Sequence, residues 1–208
     1  EPLPEPISPS DPWPSVQDLL QLPDWMQLEL SVTAEPLFNP SGGKRSAGSW
    51  IQQGTLGLDI SSGLNKASDT WHELDHWQLS VTVNHDAGDA YYNTAIGALF
   101  PLQQVAYPAG FYLSEIAIER QRGEGWLNMK AGILPINPDF VEVPVLGNYV
   151  HSAFNNTLNI TVAGLPINPY TAFGGVVTAH ASPELSLRYG LFDPVSYTHL
   201  RAHETGRN

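Results

Sequence analysis

Side chains that alternate between apolar and polar over about nine residues leave a chain few ways to fold, because only an extended strand sends successive residues to opposite faces. In residues 26–34, Met26, Leu28, Leu30, Val32 and Ala34 alternate with Gln27, Glu29, Ser31 and Thr33. Residues 76–84 repeat the pattern, with Trp77, Leu79, Val81 and Val83 set against Gln78, Ser80, Thr82 and Asn84. Stretches 49–61, 126–134 and 185–191 keep the same period, 111–121 and 171–181 alternate less cleanly, and 93–100 is the weakest candidate. This predicts about eight strands, mostly of nine to eleven residues. Such strands exceed the roughly five or six residues usual in globular sheets and match what a tilted strand needs to cross a bilayer. The expected fold class is all-β, a transmembrane antiparallel barrel of porin type.

Composition agrees. Only 14% of the 208 residues are charged, against about 25% in an ordinary soluble domain, while 18 Gly and 18 Pro supply many turns. No uninterrupted apolar run reaches the roughly 18 residues of a spanning helix, a test that a barrel escapes because only alternate residues meet lipid. The absence of cysteine excludes a disulfide scaffold and thiolate metal sites. A net charge of -12 argues against nucleic acid and anionic membrane surfaces as partners.

The predicted domains are a Pro-rich segment over 1–24, a partial barrel over 25–193 and a separate tail over 194–208. The first begins at Glu1 without a signal peptide or initiating Met, so processing or truncation is expected before it; 11–24 could hold a short helix through Val16, Leu19 and Leu20. The tail, Pro194-Val-Ser-Tyr-Thr-His-Leu-Arg-Ala-His-Glu-Thr205 and onward, reads as a translated sequencing-library adapter and is set aside. Short turns at 122–125 and 182–184 suit a periplasmic rim, and the longer polar stretches 35–48, 62–75 and 85–93 suit the outer side. Trp and Tyr residues near strand ends suit interfacial girdles. Leu134-Pro-Ile-Asn-Pro138 recurs as Leu165-Pro-Ile-Asn-Pro169, as though marking where one loop leaves the sheet and returns.

From Lys130 onward the order Gly132, Leu134, Pro135, Asn137, Phe140, then Phe154 and Asn155, then Pro166 and Pro169, and finally Tyr189, Gly190, Phe192 and Asp193 resembles the carbohydrate-selective porins of the OprB family, in a cyanobacterial style. The resemblance is best over 126–193 and continues more weakly back to Trp25. It implies a barrel of about 16 strands in a bacterial outer membrane. Such a barrel passes saccharides, has outer-membrane lipid as surroundings and a homotrimer as a possible assembly, and uses no cofactor and no covalent chemistry. The chain would then supply about half of the barrel and, with open edges in lipid, would not form a working channel alone.

Parity nominates the lumen. If Leu127, Met129, Ala131 and Ile133 face lipid, then Trp126, Asn128 and Lys130 face inward, and by the same rule so do Arg188, Asp59 and Glu29. Glu115 and Glu119 share a parity with Phe111 and Leu113, which leaves that strand ambiguous; the acids are placed inward because charge on a lipid face is costly. Trp126 could stack on a sugar ring while Glu115, Lys130 and Arg188 bond hydroxyls, although plain solvated lumen residues would look the same. Residues 141–162, with Asn148, Tyr149, His151, Phe154, Asn155 and Asn156, are expected to pack inside as a short helix or constriction, the competing reading being extra strands at 140–143 and 158–162.

His72-Glu-Leu-Asp-His76 matches the zinc-protease pattern, which needs both imidazoles on one helical face. Here it runs directly into an alternating strand, so no metal site is expected. The acceptor-like Asn155 and Asn159 triplets carry no weight in a bacterial chain. Two other readings stay open, a secreted β-sandwich carbohydrate-binding module and a general ion-conducting porin.

Overall fold

The computed structural model describes residues 16–62, 76–90, 92–122, 126–152, 154, 165–167, 170–182 and 184–193. Helix α1 (Val16–Leu20) precedes strands β1 (Met26–Asn39), β2 (Ala47–Ser62), β3 (His76–Gly88), β4 (Gly110–Arg122), β5 (Leu127–Leu134), β6 (Ala172–Ser182) and β7 (Leu185–Phe192). Helix α2 (Tyr92–Ile96) lies between β3 and β4; α3 (Asn137–Phe140) and a 3-10 turn (Pro144–Asn148) lie between β5 and β6. All seven strands form one antiparallel sheet in chain order. Among the described residues there is no second sheet of the kind a β-sandwich requires, and no helix long and apolar enough to cross a membrane.

Two strand expectations are corrected. Residues 93–100 begin in α2, where the Asn93 carbonyl accepts the amides of Gly97 and Ala98 and closes a helical turn. Residues 140–143 are no strand either, because Val141 and Glu142 both donate back to the Asn137 carbonyl at the end of α3. The alternative strand at 158–162 lies outside the described residues.

Directly opposed residues in a sheet share a face, so the register sorts the two faces. One row crosses six strands as Leu28, Leu58, Val81, Ile116, Ile133 and Phe173, and its neighbour runs Met26, Ile60, Leu79, Ile118, Ala131, Gly175 and Leu191. This face is left open to the surroundings, with Val32 72% and Leu187 65% exposed. The opposite face carries His76, Gln121, Asn128, Thr178 and Arg188 in one row and Gln78, Glu119 and Lys130 in the next.

A β-bulge resolves the ambiguous strand. Thr82 pairs with Glu115 but Val83 pairs with Leu113, so Ser114 is extra and the parity of β4 inverts there. Phe111 and Leu113 therefore lie on the apolar face below the bulge, and Glu115 and Glu119 on the polar face above it. Arg120 is a charge on the apolar face. It stands near the strand end with its guanidinium 5.1 Å from the centre of the Trp77 ring, an amphipathic pair of the kind that suits an interface.

The meander fixes two rims. Arg122, Trp126, Ser182 and Glu184 lie at one, while 40–46 and the described parts of 89–109 and 135–171 lie at the other. The 62–75 stretch, expected with the long outer loops, lies beyond Ser62 outside the described residues; the strand ends that flank it, Ser62 and His76, stand on the same side of the sheet as Arg122 and Ser182. Alternation counts no rims; strand order does.

Candidate functional site

The buried residues of this sheet do not lie between two layers. They lie on the polar face, under connections that fold back across it. Residues 89–109 cover β1 to β3. Tyr92 donates its hydroxyl to the Ala47 carbonyl and accepts the Asn39 amide at 3.1 Å. Gln103 donates to the Glu35 carbonyl, and the Glu35 carboxylate accepts the Val105 amide at 3.2 Å. Ile51, Ala90 and Val105 pack together beneath. Asp86, fully buried, accepts Gln53 Nε2 at 2.8 Å. Burial, with the charges of Asp86 and Glu35 added, pushes the Tyr107 phenol up to about 12.

The described residues of the 135–171 connection cover β4 to β7 in the same manner. The two Leu-Pro-Ile-Asn-Pro copies meet, with Ile136 donating to the Pro166 carbonyl at 2.8 Å, so the echo does mark the neck of one loop. Just past this neck, α3 sits on the wall. Phe140 packs edge-on against Phe192, centroids 6.3 Å apart, beside a buried pad of Ala117, Leu134 and Val176. Gly190 leaves the space the ring occupies, since a Cβ there would stand 2.7 Å from Phe140 Cζ. Leu134, Phe140, Gly190 and Phe192, four of the residues on which the family resemblance rests, thus meet in space. Ser152 joins the two connections through its hydroxyl, 2.6 Å from the Pro101 carbonyl.

Beside this apolar seat lies a charged ladder. Lys130 Nζ is 2.8 Å from Glu115 Oε2 and 3.8 Å from Asp139 Oδ2, while Arg188 Nη1 is 3.8 Å from Asp139 Oδ1. Arg188 also donates Nε to Thr178 Oγ1 at 3.1 Å and Nη1 to the Asp139 carbonyl. Asn128 Nδ2 donates to Glu119 Oε1 at 2.6 Å. Glu119, Asn128, Lys130, Asp139, Thr178 and Arg188, with His180, line a polar recess of about 100 Å³.

Of the residues nominated from sequence, Glu115, Asn128, Lys130 and Arg188 come together here. Asp59 lies on the same face but opposite Gln27 and Ser80, two strands from β4. Trp126 does not join the cluster; it occupies the turn before β5, half exposed, its carbonyl accepting the His180 amide. Asn148 bonds the Val145 carbonyl, and Tyr149 and Phe154 are exposed and lie against each other, 6.2 Å between centroids. Asn155, and all but His76 of the His-Glu pattern, lie outside the described residues. His76 opens β3, and no group of three or more potential metal ligands occurs among the described residues.

Sequence reasoning missed Asp139 and the inward fold of 89–109. A signal for the second existed: Leu99, Phe100, Leu102, Val105 and Ala106 make that connection too apolar for a solvated loop.

The sequence model of the carbohydrate-selective porins, OprB family, matches residues 65–203. The chain belongs to the OprB family. The structure is also similar to that of Pseudomonas putida OprB at high pH, with a TM-score of 0.69 and 20% identity over 87% of this chain and 44% of that one. No curated protein matches. The chain spans less than half the length of the solved porin, and what the two share is the fold, the antiparallel sheet of an OprB barrel wall.

Proposed function

We propose that these seven strands are an arc of a bacterial outer-membrane barrel through which saccharides diffuse passively, without cofactor or covalent chemistry. One observation carries this reading: apolar rows, with Arg120 a charge near a strand end, cover one face, while charge and amide ladders, overlaid by two connections, cover the other. A lipid-facing exterior and a hydroxyl-binding interior ask for that division. Lys130, Glu115, Asn128 and Arg188 are the wall groups we assign to the sugar path, with α3 and residues 89–109 narrowing it. A homotrimer would cover part of the outward rows and is readable by cross-linking in membranes.

The test is conductance. The complete barrel carrying these strands, reconstituted in planar bilayers, should pass current that maltose or glucose blocks in a dose-dependent way. Steady current indifferent to sugars would make it a general ion pore and remove the saccharide assignment.

A further inference from the structure

Lys130 and Arg188 are the two cations of the polar recess, and a single loop carboxylate answers both. Asp139 comes from α3, carried in over the wall by the neck at Ile136 and Pro166 and seated by Phe140 against Phe192. Its two oxygens stand 3.8 Å from Lys130 Nζ and 3.8 Å from Arg188 Nη1. These separations are too long for hydrogen bonds yet well within reach of strong Coulomb coupling. Oδ2 makes no hydrogen bond and has almost no contact with water. The carboxylate is therefore placed as a counter-charge rather than as a hydrogen-bonding tether. Lys130 has a second partner in Glu115 at 2.8 Å. Among the described residues, Arg188 is bonded otherwise to Thr178 and to the Asp139 backbone carbonyl, both uncharged.

We propose that Asp139 is a specificity-determining residue of the pore: it cancels the field of Arg188 and Lys130 over the recess, so that uncharged polyhydroxylated solutes are favoured over anionic ones such as sugar phosphates and sugar acids. This rests on the pore reading above. Without Asp139 the guanidinium would face the path uncompensated, and the recess would become an anion site of the kind arginine forks make.

The experiment uses the complete barrel. Asp139→Asn keeps the side chain's shape and removes its charge. In a KCl gradient its reversal potential should move toward that of chloride, with the chloride-to-potassium permeability ratio rising several-fold. In liposome swelling, glucose 6-phosphate entry relative to glucose should rise by a similar factor. Asp139→Glu should retain the original selectivity, and the double variant Asp139→Asn with Arg188→Gln should return toward it, which a purely structural role for Asp139 would not produce. Unchanged selectivity in Asp139→Asn would overturn the proposal. So would a wider pore that has lost all discrimination and is not restored in the double variant, since α3 would then have simply come away. A wild-type barrel with no sugar-sensitive current would instead remove the pore reading, so the two failures are distinguishable.

Discussion

Gly132 and Gly190 are both small residues of the family pattern, but the structure uses them differently. Gly132 sits at φ 149°, and a Cβ there would stand 2.0 Å from the Ile116 carbonyl oxygen, backbone that has no way to step aside. Gly132→Ala should therefore cost roughly 1–3 kcal/mol or more, seen as a lower urea midpoint in detergent. At Gly190 the obstacle is the tip of the Phe140 ring, which can turn, so Gly190→Ala should cost less and show itself as faster hydrogen exchange in α3. Tyr107 gives a pH prediction. Its folded pKa near 12 exceeds the ordinary value of about 10, so the unfolded chain releases its proton first as pH rises. Its contribution to stability should be flat below pH 10 and fall between about 10 and 12, by up to roughly 2 kcal/mol, and Tyr107→Phe should remove that slope.

Strands were legible because alternation is a local signal, and β2, β5 and β7 start and stop near where it does. β1 ran on past its expected end at residue 34, through Pro36, for a reason the sequence hides. Trp25 is bonded to Ser61, so odd-numbered residues of β1 bond to β2, and the nitrogen of Pro36 points to the open edge where no ladder bond is lost. The bulge at Ser114 was equally hidden; it surfaced only as a conflict between Phe111 and Glu115 over which face each deserved. Deleting Ser114 should force a choice, turning Phe111 and Leu113 into the lumen or Glu115 and Glu119 into lipid. The folded yield in detergent is expected to drop several-fold, while Ser114→Ala should leave it nearly unchanged. The charged cluster was half legible. Strand parity brought Lys130, Glu115 and Arg188 to one face, but Asp139 reaches them through a loop whose docking depends on contacts more than fifty residues apart, such as Phe140 with Phe192.

At the scale of the molecule, the sheet is a curved wall whose chemistry differs on its two sides, and its connections supply the interior that a soluble fold would build from a second layer. Such a wall has two raw edges among the described residues, along β1 and β7, and raw edges invite wrong partners. The first is dressed. Gln17, from α1, donates Nε2 to the Met26 carbonyl at 2.5 Å and accepts the Leu28 amide on Oε1 at 3.4 Å, standing in for the first peptide of a neighbouring strand. Gln17→Ala should raise aggregation of the unassembled chain, measurable by light scattering during refolding. Any strand that pairs with β1 must either evict this carboxamide or begin its bonds beyond it, so that edge carries its own ruler, cut into the chain just ahead of β1.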